Sequence, residues 1–195
     1  ICEGQLAVML LTRLPAGKLR YDVPKLASTV WFFPSVGIPI GLLVGLSYIG
    51  MCYLGILPTL ASILAFSIGL IVTGAMHEDG LADCADGFGG GQSKNQKLEI
   101  MRDSRIGSFG VLALFFIVSA RIVSLSNLPP NQEVFFAIIA LAMISRLVMV
   151  FYLTFLLPAR DEGLGRDAGK PEVTALVVSV ITCIPIIFIC GSYMI

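Results

Sequence analysis

Long apolar runs alternate with short polar segments along this chain. Five runs have the roughly 20 mostly apolar residues that a membrane-crossing α-helix needs, namely 33–56, 58–76, 110–127, 133–157 and 173–194. Pro58 follows the first run, and LPPNQE (128–133) follows the third, so each of these junctions predicts a tight turn. The pattern predicts an all-α, polytopic membrane protein with about five transmembrane helices.

The first 30 residues differ from these runs. ICEGQLAVMLLTRLP is apolar for only about 12 residues before Arg13 and Pro15, which predicts an interfacial or partly inserted helix. The end of a span that begins before Ile1 is the alternative. No removable signal peptide is evident, and because the chain begins with Ile we expect its natural N-terminus to lie upstream.

Composition supports the membrane class. Of 195 residues, 56% are hydrophobic and 13% are charged, and the mean hydropathy is +0.90, whereas soluble domains carry about 25% charged residues. We expect one membrane-embedded domain over residues 1–195, surrounded by lipid and with no nucleic-acid partner. A zinc site is not expected, because His77 is the only histidine and the five cysteines are scattered. The oligomeric state stays open, a homo-oligomer included.

The charged residues lie unevenly about the five predicted spans. Threading the spans puts all but two of the 13 basic residues, Arg121 and Arg146, on one side of the bilayer. Every acidic residue except Glu133 falls on that same side. Because positive loops stay in the cytoplasm, the working face is predicted to be cytoplasmic.

Four acidic residues follow the second apolar run in HEDGLADCADGFGGG (77–91). Asp79, Asp83 and Asp86 have the spacing i, i+4, i+7, which aligns them on one face of a helix. No basic residue occurs from His77 up to Lys94 to offset their repulsion. Carboxylates of this kind suit Mg²⁺, which is commonly held by one or two carboxylates and substrate phosphates. A polar loop without metal is the alternative.

Two familiar ligand motifs are excluded for this stretch. Leu81 stands where a calcium EF-hand needs an oxygen ligand, and no GK[ST] follows GFGGG as a P-loop would require. Gly87, Gly89, Gly90 and Gly91 are predicted to end the helix and to let backbone approach a bulky ligand.

The next segment, KNQKLEIMRDSRIGSFG (94–110), offers a second acidic face, because Glu99 and Asp103 are also spaced i, i+4. Basic residues are interleaved with them and are predicted to meet phosphate oxygens: Lys94, Lys97, Arg102 and Arg105. A purely topological role for these bases is the alternative. Two carboxylate helices with bases between them favour phosphoryl transfer at a membrane surface.

HEDGLADCADGFGGG followed by KLEIMRDSRIGSFG resembles the cobalamin synthase family, the adenosylcobinamide-GDP ribazoletransferases. The similarity extends to LLTRLP (10–15), WFFPSVGIPIG (31–41), SRL (145–147) and PARDEGLG (158–165), so it covers most of the chain. The resemblance implies an enzyme of the cell's inner (cytoplasmic) membrane that uses Mg²⁺. It would join α-ribazole, or α-ribazole 5′-phosphate, to adenosylcobinamide-GDP, forming adenosylcobalamin or its phosphate and releasing GMP.

A more distant resemblance relates the acidic residues to CDP-alcohol phosphotransferases, whose motif is DxxDG followed by DxxxD. Asp83, Asp86 and Gly87 fit the first part, and Glu99 with Asp103 fits the second. The Ala-Arg of that motif is absent and Glu99 replaces an aspartate, so only the chemistry carries over. In both reactions an alcohol attacks an activated diphosphate and expels a nucleoside monophosphate.

These arguments give a set of predicted site residues. The metal ligands are predicted to be Glu78, Asp79, Asp83, Asp86 and Asp103. Asp86 and Asp103 are predicted to be catalytic, with Asp103 accepting the proton of the attacking ribose hydroxyl. The predicted substrate contacts are His77, Arg102, Arg105, Arg146, Arg160 and Glu162.

Two of these substrate contacts have arguments of their own. Arg146 lies in the middle of an apolar run and needs a partner or a cavity, so we expect it to face the bundle interior and the substrate. PARDEGLGRDAGKP (158–171) emerges on the side of the acidic stretch, and we expect Arg160 to approach phosphate. Glu162 is expected to bind metal or to hold Arg160 in place. A solvated connector is the alternative for this loop.

Two other functions remain as alternatives. A UbiA-like prenyltransferase also uses aspartate-rich motifs and Mg²⁺ on membrane helices, but the later segment ARDEGLGRD lacks that family's regular spacing. A cation transporter would place its acidic residues within spans, whereas here they follow the end of one.

Overall fold

The computed structural model describes residues 2–18, 24–160, 166 and 168–192. Within these residues it contains eight α-helices, two short 3₁₀ helices (Leu26–Ser28 and Val30–Phe32) and no strand, which confirms the all-α prediction. The α-helices are α1 (Cys2–Leu11), α2 (Phe33–Tyr53), α3 (Pro58–Thr73), α4 (Met76–Gly90), α5 (Lys94–Ile100), α6 (Ser108–Ser126), α7 (Gln132–Phe155) and α8 (Val173–Ser192).

Four of the five predicted spans are single helices long and apolar enough to cross a membrane: Val30–Tyr53, Ser108–Ser126, Gln132–Phe155 and Val173–Ser192. The remaining predicted span, 58–76, differs. α3 has only 16 residues, and it passes the same test only together with α4, from which it is bent by 91°. The described residues therefore hold four candidate spans, or five if this bent pair counts as one.

Two consecutive left-handed residues cause the bend between α3 and α4. Gly74 has φ 69° and Ala75 has φ 57°, values that a continuing α-helix does not allow. The acidic helix α4 thus starts in a new direction instead of prolonging α3.

Close packing of α2 on α7 forms the centre of the bundle. A Cβ added to Gly37 would lie 2.6 Å from the carbonyl oxygen of Ala142, and one added to Gly41 would lie 2.6 Å from the Cα of Ile139. These two glycines have the spacing G-x-x-x-G, with which membrane helices bring their backbones together. The short helix α1 packs beside α2, where Ala7 and Leu11 are fully buried.

The prediction that the glycines end α4 is confirmed for the last two of them, Gly90 and Gly91. Gly87 and Gly89 lie inside α4, which continues to Gly90, and Gly91 is its C-cap. Gly87 instead lets α5 and the turn after it approach, because a Cβ there would meet the side chain of Met101 at 2.7 Å. At Gly87 the close neighbour is a segment of the same chain, and the approach of a bulky ligand to these glycines stays a prediction.

Candidate active site

A pocket of about 300 Å³ lies between α4 and the turn that connects α5 to α6. Asp79 and Asp83 line it from α4, and Asp103 lines it from the turn. Arg102 and Arg105 also line this pocket. The structure thus brings together three of the five predicted metal ligands and two of the predicted substrate contacts.

Asp103 is held by the backbone and the side chain of Arg105. The Arg105 backbone N–H donates to Asp103 Oδ1 at 3.1 Å, and its guanidinium Nη2 lies 3.2 Å from Oδ2. These hydrogen bonds, the side-chain ones first, keep the pKa of Asp103 below its ordinary value. The Arg105 side chain is largely exposed, and that of Asp103 is about half exposed. In this arrangement Asp103 is deprotonated, and its lowered pKa makes it a weaker proton acceptor.

Asp86 lies apart from this pocket, although it is on the same helix. It is only 8% exposed, and its Oδ2 accepts the Gly107 N–H at 2.7 Å while its Oδ1 accepts the Gly110 N–H at 2.8 Å. Both donors belong to the first turn of α6. Each oxygen of Asp86 is therefore occupied by a backbone amide.

Glu78 also has a partner on α6. Its carboxylate lies 2.9 Å from Nη1 of Arg121, and the guanidinium of Arg121 stands 5.5 Å from the ring centroid of Phe66. This pair accounts for the basic residue inside the apolar helix α6, since a charge there needs a partner.

The donor chemistry of the pocket fits a magnesium ion. Within the residues that the structure describes, no three Asp, Glu, His or Cys side chains are grouped closely enough to hold a metal by themselves. Mg²⁺ does not require such a group, because it usually takes one or two carboxylates together with substrate phosphates and water. Asp79, Asp83 and Asp103 offer hard oxygen ligands around one pocket of suitable size.

A second pocket, of about 460 Å³, adjoins the acidic one and shares Arg102 with it. Lys94, Asn95 and Glu99 line it from α5, and Arg160 lines it from the segment after α7. The sequence gives no signal that would single out Asn95. This second pocket is predominantly basic, so it suits an anionic group extending from the first.

Arg160 connects the segment after α7 to α5. Its Nη2 donates to the Leu98 carbonyl oxygen at 3.0 Å, and its charge is close enough to act on the carboxylate of Asp83. Arg160 thus lies against α5, on the side of the acidic stretch, and its predicted contact with phosphate stays a prediction. Glu162 lies outside the described residues.

Arg146 faces the bundle interior, as predicted, and is 7% exposed. Its Nη1 donates to the Ala142 carbonyl oxygen at 3.2 Å and to Ser145 Oγ at 2.8 Å. Its Nε and the Nε2 of His77 are buried without a hydrogen-bond partner among the described residues. Neither residue lines the two pockets described above.

Comparisons with known proteins identify the family to which the chain belongs. Residues 5–195 match the family described as cobalamin-5-phosphate synthase. An adenosylcobinamide-GDP ribazoletransferase of Mesorhizobium japonicum is 38% identical over 94% of this chain and 71% of its own length. A protein of the same name from Bradyrhizobium diazoefficiens is 37% identical over 92% of this chain and 69% of its own length. Another, from Azorhizobium caulinodans, is 43% identical over 85% of this chain and 64% of its own length. No solved structure gives a significant match.

The helical membrane architecture and these relatives define a polytopic membrane enzyme of the transferase class. The chain belongs to the cobalamin-5-phosphate synthase family, which its match over residues 5–195 and its identity to three curated relatives show. The family recognised from the motifs is confirmed, and membership favours the transferase over the prenyltransferase and transporter alternatives.

Proposed function

We propose that this chain joins α-ribazole, or α-ribazole 5′-phosphate, to adenosylcobinamide-GDP, giving adenosylcobalamin or its 5′-phosphate and GMP. The relatives' name supplies the reaction class. The observation that carries the proposal is the pocket that gathers Asp79, Asp83 and Asp103 beside two arginines. Carboxylates and guanidinium groups around one small volume are what phosphoryl transfer from a diphosphate requires.

The atoms of the reaction indicate what the site must do. Because GMP leaves with one phosphate, the attacked phosphorus is the one that stays with the corrinoid. A bond forms from the ribose hydroxyl oxygen to that phosphorus, and the bond from it to the oxygen carried by GMP breaks. The hydroxyl proton must be taken up, and the negative charge of the diphosphate must be balanced.

In this proposal one or two of the three pocket carboxylates, Asp79, Asp83 and Asp103, would hold Mg²⁺ together with phosphate oxygens of the substrate. When bound, the ion supplies positive charge against the diphosphate oxygens. Glu78 and Asp86, the other two predicted ligands, each have a protein partner on α6. The proposal therefore assigns metal binding to the carboxylates that line the pocket.

Arg102 and Arg105 would bind the diphosphate from the other wall. Arg102 lines both pockets, so it is suited to a group that extends from one into the other. Arg105 is exposed and pairs with Asp103 at 3.2 Å. If the Arg105 side chain turns to a phosphate oxygen, Asp103 loses the side-chain hydrogen bonds that lower its pKa most and keeps the backbone one, so it becomes a better acceptor for the hydroxyl proton.

The cytoplasmic membrane is the proposed location, with the site facing the cytoplasm and lipid surrounding the spans. The argument is the charge distribution: with the bent pair α3–α4 counted as the fifth span, all but two of the 13 basic residues fall on one side of the spans.

Purified protein in nanodiscs tests the proposal. Adenosylcobinamide-GDP and α-ribazole are supplied together and singly, with Mg²⁺ or with EDTA, and GMP and corrinoid products are separated by chromatography. We expect GMP and a new corrinoid in equal amounts only when both substrates and Mg²⁺ are present. GMP release without α-ribazole, or no release at all, would contradict the proposal.

A further inference from the structure

Asp86 caps the first turn of α6 from another helix. The first N–H groups of any α-helix lack partners within the helix, and a side chain at the N-cap usually accepts from one of them. Here the N-cap is Gly107, which has no side chain to do so. Asp86 accepts the Gly107 and Gly110 N–H groups at 2.7 and 2.8 Å instead, and its negative charge complements the positive end of the helix dipole.

The two glycines make this cap possible. A Cβ on either Gly107 or Gly110 would collide with the carboxylate of Asp86, and one on Gly110 would also lie 3.1 Å from the carbonyl oxygen of Ala82. The backbone of the first turn of α6 therefore lies so close to α4 that neither glycine could carry a side chain without a collision. The cap is built by both helices.

This cap bears directly on the candidate active site. The turn from Met101 to Gly107 begins where Met101 touches Gly87 of α4 and ends where Gly107 meets Asp86. Between these two anchor points it carries Arg102, Asp103 and Arg105, which face Asp79 and Asp83 across the pocket. Asp86 therefore influences how far Asp103 lies from the carboxylates of α4.

We propose that Asp86 is a positioning residue that docks α6 on α4 and so sets the distance of Asp103 from Asp79 and Asp83, without binding metal itself. The proposal rests on the proposed function, because the pocket it shapes is the one assigned to phosphoryl transfer. Both Asp86 oxygens already accept backbone N–H groups, and a cation would have to displace these donors. Metal ligation by Asp86, which its spacing in the sequence predicts, is the competing outcome.

Kinetics of four variants separate positioning from ligation. Asp86→Asn places an amide NH₂ where one backbone N–H now donates, and Gly110→Ala leaves the carboxylate intact but pushes it away from α6. We expect both to lower kcat for GMP release about tenfold or more while changing the half-saturating Mg²⁺ concentration less than about twofold. Asp83→Asn should raise the half-saturating Mg²⁺ concentration. Gly50→Ala is the control for Gly110→Ala, because Gly50 is a helix glycine with open space around it.

A raised Mg²⁺ requirement in Asp86→Asn, with Gly110→Ala close to wild type, would overturn the proposal. Hydrogen exchange of the wild-type segment 107–111 adds a test that depends on neither turnover nor a foldable variant. Its amides should be equally protected in EDTA and in Mg²⁺ without substrate. Faster exchange on adding Mg²⁺ would show that the ion draws Asp86 away from α6, which would also overturn it. Failure of the proposed reaction would leave this exchange result unchanged.

Discussion

The carboxylate of Glu78 on α4 and the guanidinium of Arg121 on α6 form an ion pair with an N–O distance of 2.9 Å. Arg121 also stands over the ring of Phe66 from α3. A charged residue in an apolar helix is costly unless it is paired, so this contact explains how α6 carries Arg121. Three helices around the acidic segment are joined at this point.

Removing one partner of this pair should destabilise the protein. We expect Glu78→Gln and Arg121→Gln each to lower the free energy of unfolding by about 1 to 2 kcal/mol, because Glu78 is mostly buried while Arg121 is half exposed. Unfolding of the detergent-solubilised protein measures this. The double variant should lose less than the sum of the single variants. Additive losses would contradict a direct interaction.

The Asp103–Arg105 pair predicts a shift in the pH dependence of the reaction. Arg105 lowers the pKa of Asp103, so Asp103 stays deprotonated to a lower pH than an isolated aspartate. In Arg105→Gln the pKa should rise, and the acidic limb of the kcat/KM profile should move to higher pH. Arg102→Gln serves as the comparison, since it removes a neighbouring charge but none of these hydrogen bonds. An acidic limb that does not move in Arg105→Gln would exclude Asp103 as the titrating base.

Arg160→Ala tests the second pocket. The substitution removes a guanidinium that lines this pocket and donates to the Leu98 carbonyl. We expect KM for adenosylcobinamide-GDP to rise about tenfold, as for the loss of one charge-assisted hydrogen bond. Lys170→Ala is the control, because Lys170 shares a third pocket with Arg160 but lines neither the acidic pocket nor the second pocket. Small, equal effects in the two variants would make the segment after α7 a simple connector.

Gly37→Ala should disturb the contact of α2 with α7. The added methyl group would meet the backbone of Ala142 and Met143, and overpacking of this kind costs about 1 to 3 kcal/mol. Gly50→Ala is a matched control on the same helix, with nothing within 4 Å of its added Cβ. Helix propensity favours alanine there by up to about 1 kcal/mol. A lower melting temperature in Gly50→Ala than in Gly37→Ala would contradict this packing argument.

Much of the fold follows from hydropathy, because a crossing helix must be about 20 apolar residues long. Four spans were predictable in this way, whereas the bend at Gly74 and Ala75 depends on two φ angles that hydropathy does not encode. The G-x-x-x-G spacing of Gly37 and Gly41 is a signal in the sequence that could have predicted the α2–α7 contact.

For the candidate site, the sequence could predict only which acidic residues share one face of a helix. The i, i+4 spacing of Asp79 and Asp83 placed both in one pocket. The same rule grouped Asp86 with them, but its position one turn further along α4 brings it against α6. Spacing on one helix shows which residues share a face and not which neighbour that face meets. Contacts between segments, such as Asp86 with Gly107, need the tertiary structure.

The most direct test of the account is the initial rate of GMP release by purified Asp83→Asn, with adenosylcobinamide-GDP, α-ribazole and Mg²⁺ supplied. Asp83 lines the acidic pocket, and its carboxylate has no hydrogen-bond partner in the part of the chain that the structure describes, so its replacement by Asn should leave the bundle folded. We predict a loss of at least about a hundredfold relative to wild type, while Glu133→Gln, which changes an exposed residue at the start of α7, keeps the wild-type rate. A wild-type rate in Asp83→Asn would contradict the assignment of the reaction to this pocket.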